Sequence, residues 1–149
     1  MTERVDFYVL KSAAAKQRWA FACRLAEKAY LRDLRVVILN ETQADAQALD
    51  DLLWTFNERS FVPHEVCLAG SPNRAAPVHL TLDLANAPSA DLLVNLAPRV
   101  PAQMQRYARI AEVIDGDEER RRLGRERFKS YRDLKLALET HQLDETADT

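Results

Sequence analysis

Apolar positions along the chain predict an alternation of buried strands and amphipathic helices. Apolar residues over 5–10 recur at the two-residue period of a strand, and the segment is apolar enough on both faces to be buried. A stripe at helical spacing follows over 14–31, and the β-branched run 36–39 is typical of a central parallel strand. Thr42 then predicts the N-cap of a second helix. The order β-α-β-α favours a parallel sheet with right-handed crossovers.

The second half of the chain predicts a long loop, more strands and a closing helix. Periodicity is lost over 57–77, where proline, glycine and serine predict a surface excursion. Three further strands are predicted over 78–82, 92–96 and 109–115. We expect a short helical turn within 101–107 and one helix from Asp117 to about Leu138, bent at Gly124. The predicted fold is a three-layer, Rossmann-like α/β fold, with a mostly parallel sheet covered by helices on both faces.

Length and composition predict a single domain. A chain of 149 residues fits one hydrophobic core, which we assign to 1–143, and the acidic segment 144–149 is expected to be a disordered tail. No apolar run approaches the roughly 20 residues that a membrane span requires. Without a signal-like start either, the sequence predicts a cytoplasmic protein that does not contact membranes.

The turn after the first strand lacks the glycines that nucleotide-binding folds use to hold phosphate. Residues 11–16 contain none, and neither GxGxxG nor GxxxxGK[ST] occurs in the chain. His64, His79 and His141 are widely separated, and no paired Cys/His set or GxSxG motif is present. We therefore expect no catalytic residues, no metal and no cofactor. A degenerate nucleotide-binding α/β enzyme stays open as the alternative.

Basic residues concentrate in the predicted closing helix, although the net charge of the chain is −2. Seven of the thirteen residues over 120–132 are Arg or Lys. At 100° per residue, one face of this helix has Phe128 on its edge, while Leu123 and Leu134 point the other way, toward the presumed sheet. Four basic residues share the face beside Phe128, and we call them the basic stripe: Arg121, Arg125, Lys129 and Arg132.

The basic stripe has three interpretations. It can be a solvated helix face that is partly paired with Glu118, Glu126 and Asp133. It can hold an acidic peptide, because a guanidinium binds a terminal carboxylate through two parallel hydrogen bonds and an apolar wall takes the last side chain. It can also contact nucleic acid directly, which the acidic net charge of the chain disfavours.

A second candidate surface follows the predicted second helix. Trp54 lies near the end of that helix, and the polar stretch after it carries Phe61, Val62 and Pro63. These side chains either pack onto the core or form an exposed apolar patch that binds a protein partner, for which Trp and Phe are common anchors.

Five short motifs carry a resemblance to a known family. They are VDFYVL at 5–10, LLW at 52–54, SFVPH at 60–64, APV at 76–78 and RERFKSYR at 125–132. In this order and spacing they resemble the chi subunit family of the bacterial DNA polymerase III clamp loader, over nearly the whole chain. The resemblance implies a non-catalytic adaptor with a Rossmann-like sheet and no nucleotide. It also implies a heterodimer with the psi subunit and binding to the acidic C-terminal tail of single-stranded-DNA-binding protein, without specific contact to DNA.

The resemblance also implies which residues bind each partner. The tail is expected on the basic stripe and its aromatic edge: Arg121, Arg125, Phe128, Lys129 and Arg132. In that site Arg125 and Lys129 hold the carboxylates of the tail, and Phe128 lines the pocket for its terminal phenylalanine. The psi subunit, or a helicase that competes with it, is expected on the second surface: Trp54, Phe61, Val62 and Pro63.

Overall fold

The computed structural model describes residues 2–56, 62–67 and 76–143, apart from the side chains of Ala15 and Cys67. Within these ranges the strands are β1 (Arg4–Val9), β2 (Val36–Leu39), β3 (His64–Cys67), β4 (Val78–Thr81), β5 (Ala90–Asn95), β6 (Tyr107–Ile114) and β7 (Ala137–Gln142). The helices are α1 (Ala15–Tyr30), α2 (Gln43–Thr55) and α3 (Glu118–Asp133). Two 3₁₀ turns lie at Leu84–Asn86 and Met104–Arg106, the second inside the turn predicted for 101–107.

The strands form one parallel sheet in the order β3-β4-β2-β5-β6-β1-β7. The central strand β2 shows why both faces are covered. Its residues Val36 and Ile38 pack into a core with α1 and α2, whereas Val37 and Leu39 pack into a second core with α3. This alternation confirms the predicted α/β fold with three layers.

Side-chain caps begin two of the helices. The Thr42 Oγ1 accepts a hydrogen bond from the Asp45 amide at 3.1 Å, which confirms the predicted start of α2. The Asp117 carboxylate accepts one from the Arg120 amide at 2.9 Å and begins α3. Each cap satisfies an amide that the first helical turn leaves without a backbone partner.

The loop predicted over 57–77 contains the strand β3 at one edge of the sheet, so this part of the prediction is wrong. The strand is the four-residue sequence His-Glu-Val-Cys, which is too short and too polar to show a strand period. It forms because Val62 is buried beside it and because β4 pairs along its whole length. The predicted tail 144–149 lies outside the described residues.

The closing helix is also shorter than predicted. It ends at Asp133 rather than near Leu138, and the chain turns through Lys135 at φ 62° into β7. The Lys135 amide donates to the Arg132 carbonyl and the Leu136 amide donates to the Tyr131 carbonyl, which is the Schellman arrangement. The turn leaves Leu134 56% exposed rather than facing the sheet as predicted.

Candidate functional site

The position of α3 on the sheet depends on Gly124. A Cβ on this residue would lie 2.4 Å from the Cδ1 of Ile114 in β6, so a larger residue there would have to push this methyl group aside. One turn further on, the ring of Phe128 packs on Phe7 of β1 with 5.2 Å between centroids, and Tyr131 meets Phe7 at 5.9 Å. The helix also covers Leu138 at the start of β7 but leaves Thr140 and Gln142, further along the same face, exposed.

These two residues lie along one side of a groove of about 260 Å³, which we call the α3–β7 groove. Apolar side chains of β1 and β6 form its base, and α3 forms one wall. It is lined by Phe7, Val9, Ile114, Arg121, Gly124, Arg125, Phe128, Thr140 and Gln142. The groove thus brings three residues of the predicted tail site together, Arg121, Arg125 and Phe128, whereas Lys129 and Arg132 lie further along the same helix, exposed to solvent.

Arg125 carries an uncompensated charge at the rim of the groove. Its side chain is exposed and makes no hydrogen bond or ion pair with any described residue, and the same holds for Lys129 and Arg132. Among the described contacts, the acids proposed to neutralise the stripe do not reach these three cations. Glu126 binds Arg122 instead, at 3.2 Å. The stripe therefore presents positive charge that a ligand can neutralise.

Arg121 has a structural role as well as a place in the groove. It is half-buried, and its guanidinium donates to the Asp115 carbonyl at 3.0 Å and to the Leu10 carbonyl at 3.1 Å. These two carbonyls follow β6 and β1, so Arg121 ties the start of α3 to the carboxyl ends of both strands. Sequence reasoning placed Arg121 on the stripe but could not find these backbone acceptors, of which the Leu10 carbonyl is distant along the chain.

A buried polar network beneath α3 was missed by the sequence reasoning. Glu112 of β6 is fully buried, and its carboxylate accepts from Arg127 at 3.0 Å, from the Tyr131 hydroxyl at 2.6 Å and from Asn95 at 2.8 Å. Burial raises the pKa of Glu112, against the opposing effects of Arg127 and of these hydrogen bonds. Burial and the neighbouring Glu112 also raise the pKa of Tyr131. The sequence signal for this network was Glu112 itself, a charged residue in the middle of an apolar strand.

The second candidate surface is partly described. Trp54 at the end of α2 is 56% exposed, and its ring meets the edge of His64 with 4.9 Å between centroids. Val62 is fully buried in the core with α1 and α2, which is the packing alternative left open above. Pro63 is half-buried beside it, and Phe61 lies outside the described residues.

At the carboxyl edge of the sheet, backbone fills the space beside the turn after β1, where nucleotide-binding folds hold phosphate. The turn after β6 contacts the turn after β1 directly, since the Gly116 amide donates to the Ser12 carbonyl at 2.7 Å. A Cβ on Gly116 would lie 2.3 Å from the Lys11 carbonyl oxygen. This close backbone contact disfavours a phosphate site at the turn after β1, whereas a pocket of about 300 Å³ lies further along the same edge beside Arg18 and Arg120.

A cluster on the other face of the sheet has metal-binding residue types but is arranged as ion pairs. Asp6, Glu139 and His141 bring their ligand atoms within 4.8 Å of one another. Arg4 and Arg109 bind the Asp6 carboxylate at 2.8 and 3.0 Å, and Arg4 also binds Glu139. The two arginines therefore already neutralise these carboxylates. None of the helices described is long and apolar enough to cross a membrane.

Comparison with known proteins assigns the family. The family model described as DNA polymerase III chi subunit, HolC, matches residues 1–139. The chain belongs to the DNA polymerase III chi subunit family. It is 35% identical to the chi subunit of Pseudomonas aeruginosa over 140 residues, covering 94% of this chain and 96% of that protein. It is 28% identical to the chi subunit of Haemophilus influenzae, covering 89% and 92%, and 29% identical to that of Escherichia coli, covering 74% and 75%.

Membership of the chi family confirms the resemblance drawn from the five motifs. The chi subunit is a component of the DNA replication machinery, so the chain takes its place in the DNA polymerase III complex.

Proposed function

We propose that this chi family member is a non-catalytic adaptor of the clamp loader, which works in the cytoplasm without cofactor or specific DNA contact. Its α3–β7 groove binds the acidic C-terminal tail of single-stranded-DNA-binding protein. The surface around Trp54 binds the psi subunit. The observation that carries the proposal is the unpaired Arg125 guanidinium beside an apolar groove.

The chemistry of the groove suits a peptide that ends in an aromatic residue and a carboxylate. A guanidinium holds a carboxylate through two parallel hydrogen bonds, and Arg125 has its donors available on the rim. The rings of Phe7 and Phe128 give the groove an apolar wall on which an aromatic side chain can pack. Lys129 and Arg132 extend the positive charge along the helix for the acidic residues that precede the terminus.

Support for the psi surface comes from the exposed indole of Trp54. A half-exposed tryptophan at a helix end is a typical anchor of a protein interface. Since β3 and α2 lie at the edge of the sheet opposite β7, the two proposed surfaces share no residue. The protein can therefore hold psi and the tail at the same time.

The proposed mechanism is tethering. A weak contact with an acidic tail keeps the polymerase assembly near coated single-stranded DNA by raising the effective concentration. Because the groove rim is exposed, salt weakens the attraction between the tail and the cations, and charges more than about 8 Å apart are largely screened at physiological ionic strength. The contact therefore exchanges readily and needs no readout of bases.

Fluorescence anisotropy tests the proposal with a labelled acidic peptide that ends in Pro-Phe. Arg125→Ala should weaken its binding by about 1.5 to 3 kcal/mol, the scale of a lost charge-assisted hydrogen bond. The matched control is Arg122→Ala, which removes the same charge from the same helix. Arg122 is already paired with Glu119 and Glu126, so its loss should change the affinity little.

Two further arms separate the groove from general charge attraction. A peptide without the final Phe should bind as weakly as the wild-type peptide binds Arg125→Ala. Equal affinity of Arg125→Ala and Arg122→Ala for the peptide would contradict the groove. Co-purification of psi with Trp54→Ala at the wild-type ratio would contradict the second surface.

A further inference from the structure

The chain leaves the sheet at the end of the α3–β7 groove. Thr140 and Gln142, the fourth and sixth residues of β7, pair in register with Phe7 and Val9 and line the groove together with them. The amide of Leu143, the last described residue, donates to the Val9 carbonyl at 3.0 Å. The groove and the exit of the chain are therefore contiguous.

The exit also lies close to the basic stripe. Residue 10 follows Val9 directly, and its carbonyl accepts the hydrogen bond from Arg121 at 3.1 Å. The residue that anchors the exit and the residue that anchors Arg121 are thus neighbours in the chain. Arg125 stands one turn further along the same wall of the groove.

The sequence after the exit is acidic. Residues 144–149 read Asp-Glu-Thr-Ala-Asp-Thr, with three carboxylate side chains and no basic residue. They lie outside the described residues. At 3.3 to 3.6 Å per residue, Asp148 reaches at most about 20 Å from Gln142, a span of about four helical turns. Every acid of this segment is therefore within reach of the groove.

The segment 144–149 is a better candidate partner for Arg125 than two acids of α3 that are already paired. Glu119 and Glu126 are occupied by Arg122, at 2.5 and 3.2 Å. Arg125, by contrast, has no partner within the described ranges. The three carboxylates of 144–149 are complementary in charge to Arg125, and the strand end that they follow lines the same groove.

We propose that the acidic segment 144–149 binds in the α3–β7 groove of its own chain and competes with the incoming acidic peptide. The proposal rests on the proposed function for the identity of that peptide, but not for the contact between segment and groove. The protein then regulates its own groove, since a ligand must displace the segment before it binds Arg125.

The expected size of the effect follows from tethering. A segment joined to the groove by so few residues has an effective concentration in the millimolar range, so even a weak contact is populated. The apparent dissociation constant of a competing ligand rises by the inverse of the open fraction. For one or two partly exposed ion pairs this gives a factor of about three to five at low salt.

The first test neutralises the segment without shortening the chain, in Asp144→Asn/Glu145→Gln/Asp148→Asn. The full-length variant and the wild type are titrated into the labelled peptide that ends in Pro-Phe. The variant should bind the peptide about three- to fivefold more tightly at low salt, and the difference should close as salt is raised. Equal affinity at low salt would overturn the proposal.

A matched control removes three acids from other parts of the molecule, in Glu3→Gln/Asp33→Asn/Glu41→Gln. It changes the net charge by the same amount as the segment variant. If the control tightens peptide binding equally, net charge rather than the segment is responsible, and the proposal fails.

A second readout does not use the peptide. Amide resonances of Gly124 and Arg125 are compared by NMR between the wild type and the segment variant, with no ligand added. Neutralising the segment should shift these resonances, and the control variant should leave them in place. If neither protein binds the peptide, the proposed function fails, and the resonances alone then decide: unshifted resonances overturn the segment contact, and shifted ones uphold it.

Discussion

Replacing Arg127 by methionine tests how α3 is held on the sheet. The guanidinium donates to the buried Glu112 at 3.0 Å and to the Pro98 carbonyl at 2.8 Å. In Arg127→Met, the Glu112 carboxylate keeps its hydrogen bonds from Tyr131 and Asn95 but loses its only cationic partner among the described residues. Breaking a buried ion pair from one side costs about 3 to 5 kcal/mol of unfolding free energy.

The loss should depend on pH because Glu112 can accept a proton. Burial already raises the pKa of Glu112, and removal of Arg127 raises it further. The folded variant then binds a proton that the unfolded chain releases, so its stability falls as pH rises above the ordinary glutamate pKa. For each unit by which the pH is lowered, the free-energy cost of protonating Glu112 falls by about 1.4 kcal/mol. A loss of about 3 to 5 kcal/mol at pH 7.5 should therefore shrink by up to about 2.7 kcal/mol, to about 0.3 to 2.3 kcal/mol, at pH 5.5.

Urea unfolding followed by the fluorescence of Trp19 and Trp54 measures the loss at both pH values. The double variant Glu112→Gln/Arg127→Met has no buried carboxylate left and should lose the added pH dependence. Arg122→Met is the control from the exposed side of α3 and should cost less than about 1 kcal/mol. A loss in Arg127→Met below 1 kcal/mol at pH 7.5, or one that is equal at pH 5.5 and 7.5, would refute the argument.

Three shorter predictions concern other parts of the molecule. In Gly124→Ala the overpacking against the Cδ1 of Ile114, about 1 to 3 kcal/mol, is offset by about 1 kcal/mol of helix propensity, so urea unfolding should show a loss below about 2 kcal/mol, which Ile114→Val should reduce. Burial raises the pKa of Asp6, but hydrogen bonds from one histidine and two arginines outweigh burial and lower it. Stability should therefore fall as pH drops below about 4, and Asp6→Asn should lack this dependence in acid titrations followed by circular dichroism. Burial raises the pKa of the Cys23 thiol to about 12, so in a Cys67→Ser background a maleimide should label Cys23 only in unfolded protein, and rapid labelling of the native protein would contradict this.

Local signals in the sequence predicted most of the sheet and missed its two edges. The β-branched run of β2 and the Thr42 cap are visible within a few residues, and the structure confirms both. At one edge, β3 is short and polar and gains its stability from pairing with β4, a contact that no local pattern shows. At the other edge, α3 stops at a left-handed residue that is Lys135 rather than glycine, so the usual stop signal is missing.

The sequence likewise predicted one part of the candidate site and missed another. The basic stripe followed from the 3.6-residue period, and the structure places Arg125 and Phe128 at one groove. The period could not tell exposed cations from buried ones, since that depends on partners in other strands. Arg127 belongs to the same charge run, yet it is buried against Glu112 fifteen residues earlier.

The order of the strands has a consequence for how two partners share this protein. The strands β3 and β7 are the two ends of the seven-strand sheet. Six strand spacings of about 4.8 Å separate the proposed psi surface from the α3–β7 groove by about 29 Å. Ligands that far apart, on surfaces with no common residue, have a coupling free energy near zero unless the sheet changes conformation. The molecule then acts as a rigid spacer, and a partner bound at one end leaves the affinity at the other end unchanged.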